Sequence, residues 1–175
     1  AGAAIDVGDG PCALAWDGSS LWVANYGSEN VQRIDPGEGV VAEIEVGKGP
    51  CELAWDGNSL WVANSHSYTV QQIVPDADKP VQTVDVRDSP SALVWDGVSL
   101  WVASYLGNIV QQIDPGKGAV VATVNVGKGP THLTWDGTSV WVTYQDSTTV
   151  QQINARSLNL ILKARQLAQA GDVTP

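Results

Sequence analysis

Three residues of this sequence combine proton-transfer chemistry with a recurring local pattern. His132 and Glu52 each lie two residues after a proline, in the segments GPTHLTWDG and GPCELAWDG, and His66 lies in NSHSYT. An imidazole titrates near pH 6.5, so a histidine with an assisting carboxylate can act as a general base. The alternative is an ordinary surface histidine, because a lone candidate seldom has the geometry of an active site. Catalysis therefore stays one of two interpretations.

The tyrosines form a second candidate site. All four lie in short polar segments with the sequences NYGSEN, NSHSYT, SYLGNI and YQDSTT. Tyrosine offers a flat apolar face with a polar tip, and with amides and hydroxyls it is typical of sites for sugars or other polar ligands. The alternative is that exposed loops merely tolerate tyrosine. The residues predicted to bind a ligand are Tyr26, Tyr68, Tyr105, Tyr144, Asn25, Asn64, His66, Gln145 and Asp146.

The residue after each recurring proline is small, and in two cases it is a cysteine. Cys12 and Cys51 correspond to Ser91 and Thr131 in this pattern. Packing of small residues explains all four. A disulfide between Cys12 and Cys51 is the alternative, and it requires Cα atoms within roughly 7 Å. Two thiols and one neighbouring histidine have no recognised metal-ligand spacing, so we expect neither a metal nor another cofactor.

These candidates recur because the chain is a four-unit repeat. The motif WDG begins at Trp16, Trp55, Trp95 and Trp135, at spacings of 39, 40 and 40 residues, and a second tryptophan follows six residues later each time. Repetition in every unit favours a packing role for these tryptophans, each able to bury roughly 200 Å².

Each unit has the pattern of four short strands. In the first unit they are CALAWDG, SLWVAN, NVQRIDPG and VVAEIEVGKGP, separated by Asp-Gly and Pro-Gly turn signals. Four strands with a period near 40 residues are typical of β-propeller blades. We predict an all-β propeller domain over residues 1–154, with blades at about 9–47, 48–87, 88–127 and 128–154.

The ends of the repeat predict how the propeller closes. The last unit has three strands, whereas AAIDVG at the beginning has the pattern of a fourth strand. We therefore expect residues 1–8 to complete the last blade, which removes an exposed sheet edge. Closure within one chain gives a four-bladed monomer, and closure between two chains gives an eight-bladed homodimer with gentler rotation between blades. The prediction slightly favours the dimer.

Residues 155–175 leave the repeat. The segment SLNLILKARQLAQAG has an N-cap serine, an apolar stripe with helical spacing and a terminal glycine. It predicts a C-terminal α-helix that either caps the propeller or serves as a dimerisation or partner helix.

The segments LWVAN, IDPG, VVATVNVGKGP and LAWDG resemble repeats of the YVTN, NHL-like and streptogramin-lyase-like β-propellers. The resemblance covers residues 1–154 and implies the propeller fold. GPTHL also resembles the Gly-Pro-His-Gly segments of the streptogramin lyases, with His132 one place later and Leu133 in place of glycine. For that family the resemblance implies a metal-assisted elimination, with His132 as base and Glu52 or His66 assisting. A divalent metal is expected only under this alternative.

The charge of the chain restricts its partners. There are 19 acidic and 9 basic residues, giving a net charge of −10, which repels nucleic acid and anionic membranes. No apolar run is long enough to cross a bilayer. We expect a soluble protein, secreted or periplasmic if a leader has been removed, although the sequence does not assign a compartment.

These observations favour a non-enzymatic protein that presents a tyrosine-rich loop face to a small polar ligand, a glycan or a protein. A streptogramin-lyase-like enzyme is the first alternative. An assembly module that uses the C-terminal helix is the second.

Overall fold

The computed structural model describes residues 4–145, 147–155 and 158, and every strand in it belongs to an antiparallel sheet. The strands are β1 (Pro11–Trp16), β2 (Leu21–Asn25), β3 (Asn30–Asp35), β4 (Gly39–Glu45), β5 (Pro50–Trp55), β6 (Leu60–Asn64), β7 (Thr69–Ile73), β8 (Gln82–Asp85), β9 (Pro90–Trp95), β10 (Leu100–Ser104), β11 (Ile109–Asp114), β12 (Ala119–Asn125), β13 (Pro130–Trp135), β14 (Val140–Tyr144) and β15 (Gln151–Ile153).

The sheets follow the sequence repeat. Blade 1 is β1–β4, blade 2 is β5–β8 and blade 3 is β9–β12, each with its strands paired in sequence order. Blade 4 has three described strands, β13–β15. The predicted all-β propeller architecture is confirmed.

The WDG segments form the hairpin between the first two strands of each blade. Asp17 Oδ1 accepts backbone N–H bonds from Ser19 and Ser20, and its Oδ2 accepts the indole N–H of Trp22 at 2.7 Å. Gly18 has φ of 103°, which glycine adopts without strain. The indole bond recurs in the other blades, in the pairs Trp61–Asp56, Trp101–Asp96 and Trp141–Asp136. The motif therefore holds the two strands and the indole of each blade together.

The core lies between consecutive blades. One cluster joins Trp22 and Ile44 of blade 1 to Leu53 and Val62 of blade 2, and equivalent clusters join blades 2 and 3 and blades 3 and 4. The side chains of Trp22, Trp61 and Trp101 are fully buried, in agreement with the packing role predicted for them. Because blades pack face against face, the repeat period fixes the core positions.

The N-terminal segment does not complete blade 4 within the chain. Described residues 4–10 contain no strand, and β15 pairs only with β14 among the described strands. The first strands pack in the order β1, β5, β9, β13, and β13 has no comparable contact with β1 in the described part of the chain. The N–H of Gly8 bonds Oε1 of Gln32 in blade 1. Among the described residues the four blades thus form an open arc, and closure within one chain, one of the two alternatives that the sequence left open, is not seen there.

Most of the predicted C-terminal helix lies outside the described residues. Of that segment, Ala155 and Leu158 are described as helical, and both pack against the cluster between blades 3 and 4. Among the described residues, no helix has the length and apolar character required to span a membrane.

Candidate functional site: the loop face

Two sets of loops meet on one face of the arc. The loop after the second strand of each blade bonds through its first N–H to the loop that leads into that blade. The bonds are Tyr26 N to Gly10 O, Ser65 N to Gly49 O, Tyr105 N to Ser89 O and Gln145 N to Gly129 O, at 2.8–3.0 Å. We call this surface the loop face: residues 8–10, 26–29, 47–49, 65–68, 87–89, 105–108, 127–129 and the described residues of 145–148.

Several predicted ligand-binding residues meet there in pairs from neighbouring blades. The hydroxyl of Tyr26 and Nε2 of His66 are 2.8 Å apart, and their rings pack edge to face with centroids separated by 5.3 Å. Tyr105 donates a hydrogen bond through its hydroxyl to Oε1 of Gln145. Tyr68 is 48% exposed. These five side chains are therefore accessible or bonded to one another at the loop face.

Three other predicted ligand-binding residues are buried inside the blades. The side chains of Asn25 and Asn64 are fully buried, and Nδ2 of Asn25 bonds Asn30 and Gln32 within blade 1. Tyr144 is 8% exposed and donates to Gln151. These three side chains are not accessible at the loop face, because each residue ends a second strand with its side chain turned into its own blade. Asp146 lies outside the described residues.

A cavity of about 240 Å³ lies between the loops of blades 3 and 4. It is lined by Tyr105, Leu106, Asn108, Lys128, Gly129 and Gln145. An aromatic ring, two amides and one cation surround it. Sequence reasoning found Tyr105 and Gln145 and missed Asn108 and Lys128, although Asn108 lies in the segment SYLGNI and Lys128 in the recurring GKGP segment.

Asn108 also shapes this cavity through its backbone. Its φ of 53° is left-handed, a conformation that asparagine tolerates better than most residues. Its Oδ1 accepts the N–H of Gly129 at 2.9 Å, and its carbonyl accepts the N–H of Val126. The lining is thus fixed by bonds from blade 3 to the loop that enters blade 4.

The two cysteines lie at the first strands, where they link neighbouring blades as free thiols. Cys12 Sγ contacts the carbonyl of Pro50 at 3.1 Å, and Cys51 Sγ contacts that of Pro90 at 3.2 Å. Ser91 makes the same bond to Pro130 through its hydroxyl, at 2.8 Å. The disulfide that the sequence left open is therefore not formed, since each thiol donates to the next blade.

Burial governs the chemistry of these thiols. Desolvation raises the pKa of Cys51 to about 12, with smaller contributions from Cys12 and Glu52. The pKa of Cys12 is also raised, chiefly by burial. A thiol is a poor nucleophile until it loses its proton, so neither cysteine has the character of a reactive residue.

Glu52 and His132 lie within electrostatic reach of one another. Burial raises the pKa of Glu52, and the N–H of Leu53 and the charge of His132 act in the opposite direction. His132 itself is exposed, and His66 bonds Tyr26 instead of joining this pair. Among the described residues, no three His, Cys, Asp or Glu side chains are placed to hold a metal ion. The described side chains therefore do not form a set that fits the metal that a streptogramin-lyase-like reaction implies.

Comparison with solved structures agrees with the architecture described above. Hydrazine synthase from Kuenenia stuttgartiensis is similar with a TM-score of 0.78 at 24% identity, over 88% of this chain and 48% of that chain. This chain has a β-propeller fold. The computationally designed Ika4 protein matches with a TM-score of 0.76 at 12% identity, over 86% of this chain and 95% of that one.

A streptogramin B lyase matches with a TM-score of 0.69 at 15% identity, over 83% of this chain and 55% of that chain, and confirms the predicted resemblance in fold. The propeller chain thus spans about half the length of the hydrazine synthase and lyase chains. No family model matches the sequence, and no curated protein does so either. At these identities the similarities show the fold alone.

Proposed function

We propose that this propeller is a non-enzymatic binding protein whose loop face takes up a saccharide. The supporting observation is the cavity between blades 3 and 4, which brings Tyr105, Asn108, Lys128 and Gln145 around one space. A tyrosine ring packs against the apolar face of a sugar, and amide and ammonium groups bond its hydroxyls.

The differences between blades support this cavity as the site. Tyr26, Ser65, Tyr105 and Gln145 occupy the same position of the repeat with three different residue types, whereas the second tryptophan of the repeat is kept in every blade. The Tyr105–Gln145 bond holds one wall of the cavity before a ligand arrives. Preorganisation of this kind lowers the ordering cost of binding.

The test is calorimetric titration with a panel of neutral, acidic and amino monosaccharides and disaccharides. For any sugar that binds, Tyr105→Ala and Gln145→Ala should each weaken binding at least about tenfold, the effect of losing one good contact. Tyr68→Ala is the matched control, because Tyr68 is an exposed tyrosine of the same face that does not line the cavity. Binding that Tyr105→Ala leaves unchanged, or no binding by any sugar, would contradict the proposal.

Elimination chemistry is the second candidate function. The influence of His132 on the pKa of Glu52 is the observation that favours it. In this candidate His132 removes a proton from a sugar carbon, a C=C bond forms as the neighbouring C–O bond breaks, and Glu52 assists by giving its proton to the leaving oxygen. Mass spectrometry of the same sugars after incubation separates the two functions. Intact sugars support binding alone, whereas a product that disappears with His132→Ala supports the enzyme.

A further inference from the structure

The surface between consecutive blades is built in the same way three times, and the arc leaves both halves of it unpaired at its ends. In two of these interfaces the first-strand leucines, Leu53 and Leu93, are only 6% and 7% exposed, and in the third Leu133 is partly buried. They pack on the preceding blade, where Trp22 and Trp61 are fully buried. The formed interfaces therefore show that both sides of a blade bury apolar side chains when a neighbouring blade is present.

Blade 1 presents the leucine side of this interface to solvent. Leu14 occupies the position of Leu53 and Leu93 but is 63% exposed, and Trp16 is 53% exposed. Leu14 and Trp16 are two residues apart and so lie on the same face of β1. Large exposed apolar side chains that share one face mark an interaction surface.

Blade 4 presents the opposite side. Val150 is 59% exposed, whereas Val31, Val70 and Val110 at the same repeat position are fully buried. Trp141 is only partly buried, unlike the equivalent tryptophans of the other blades. The two ends of the arc thus carry complementary halves of one interface.

The N-terminal segment shows the same complementarity. Gly8 N–H bonds Gln32 at 2.9 Å, as Gly47 N–H bonds Gln71 at 2.8 Å where the fourth strand of blade 1 enters blade 2. Ile5 corresponds to Ile44, yet it is 43% exposed while Ile44 is 1% exposed. Residues 5–7 therefore lie where a fourth strand would enter blade 1, they pair with no strand among the described residues, and β15 has a free edge among the described strands.

We propose that a second copy of this chain docks on both ends of the arc and closes an eight-bladed ring. Blade 1 of each copy packs on blade 4 of the other, and residues 5–7 of each copy pair with β15 of the other. A two-fold axis relates the two contacts, so both end surfaces of each copy are covered in the dimer and no further copy can add. Each contact repeats the interface already formed three times within the chain.

Light scattering over a concentration series tests this proposal. The wild-type protein should have twice the 18.5 kDa mass of one chain. Leu14→Asp should raise the dimer dissociation constant at least about a hundredfold, because it removes a buried leucine and places a charge in the contact. Val98→Asp is the matched control: Val98 is 69% exposed but lies in a hairpin turn away from both ends, so its dimer should persist.

Val150→Asp tests the opposite side and should weaken the dimer as Leu14→Asp does. Both residues are exposed in the single chain, and circular dichroism should show that each variant keeps its sheet structure. A monomeric wild-type protein overturns the proposal. A dimer that both end variants leave intact, or open chains of increasing mass, also overturns it.

Discussion

Single side-chain bonds decide how firmly each hairpin is held. The aspartate of every WDG segment uses one carboxylate oxygen for the turn and the other for an indole. An asparagine side chain can replace only one of these two acceptors, because it has one carbonyl oxygen and its other terminal group is an NH2 donor. The same substitution should therefore cost more where the indole bond is buried.

We expect Asp96→Asn to lower the free energy of unfolding by about 1–3 kcal/mol, since it leaves the buried indole N–H of Trp101 without an acceptor. Asp136→Asn is the control, because its bond to Trp141 is exposed and water replaces the lost acceptor. Urea unfolding of both variants measures the difference. Equal losses would show that burial does not set the cost.

The pKa of Cys51 gives a second prediction at the residue scale. Because burial raises that pKa to about 12, the thiol stays protonated at neutral pH. In a Cys12→Ser background, iodoacetamide should alkylate Cys51 much more slowly at pH 8 than it does in urea-unfolded protein. The rate should keep rising above pH 9, where the unfolded thiol has already ionised.

The same shift links stability to pH. Because the pKa of Cys51 is higher in the folded than in the unfolded protein, its contribution to stability is complete below the unfolded value of 9.0. That contribution is lost as the pH rises from 9.0 toward about 12, where only the unfolded thiol ionises readily. Equal alkylation of folded and unfolded protein at pH 8, followed by mass spectrometry, would contradict the buried thiol.

At the scale of elements, the loop that enters each blade packs closely on the end of a second strand. A Cβ at Gly47 would lie 2.9 Å from Cγ of Asn64. Blade 3 has Arg87 and Ser104 at these positions, and Arg87 N–H keeps the equivalent bond to Gln111. Ser104 is smaller than the asparagine at this position in blade 2, and it therefore leaves space for the side chain of Arg87.

Gly47→Ala should therefore destabilise the protein by about 1–3 kcal/mol through overpacking. Asn64→Ser should relieve part of that loss, so the double variant should be more stable than the sum of the single effects by about 1 kcal/mol. Gly37→Ala is the control, since the nearest atom to its Cβ would be a side-chain oxygen at 3.4 Å. Thermal unfolding of the four variants measures the coupling, and strictly additive losses would contradict the contact.

At the scale of the whole molecule, charge opposes the proposed ring. Each chain has a net charge of −10, so two chains repel one another at low ionic strength. The dimer dissociation constant should fall as sodium chloride rises from about 0.01 M to about 0.15 M, because the screening length shortens from about 30 Å to about 8 Å. Sedimentation velocity measures the constant at each salt concentration. Weaker association at higher salt would indicate attractive ion pairs instead of apolar contacts.

The sequence by itself determined the repeat, the strands and the hairpins. Turn residues and alternating apolar residues act locally, and a period near 40 residues repeats their effect in each blade. The core positions followed for the same reason, as the complete burial of Trp22, Trp61 and Trp101 shows.

Only the tertiary structure decided which polar residues face a ligand and how the arc ends. Asn25 and Tyr26 are neighbours in the sequence, yet one is buried and the other is exposed, because Asn25 is the last residue of β2 and bonds Asn30 and Gln32 inside its blade, whereas Tyr26 begins the turn at the loop face. The cavity at Tyr105 and Gln145, the free thiols and the exposed Leu14 depend on contacts between blades about 40 residues apart. Such contacts depend on how the blades are placed, which a local pattern does not encode.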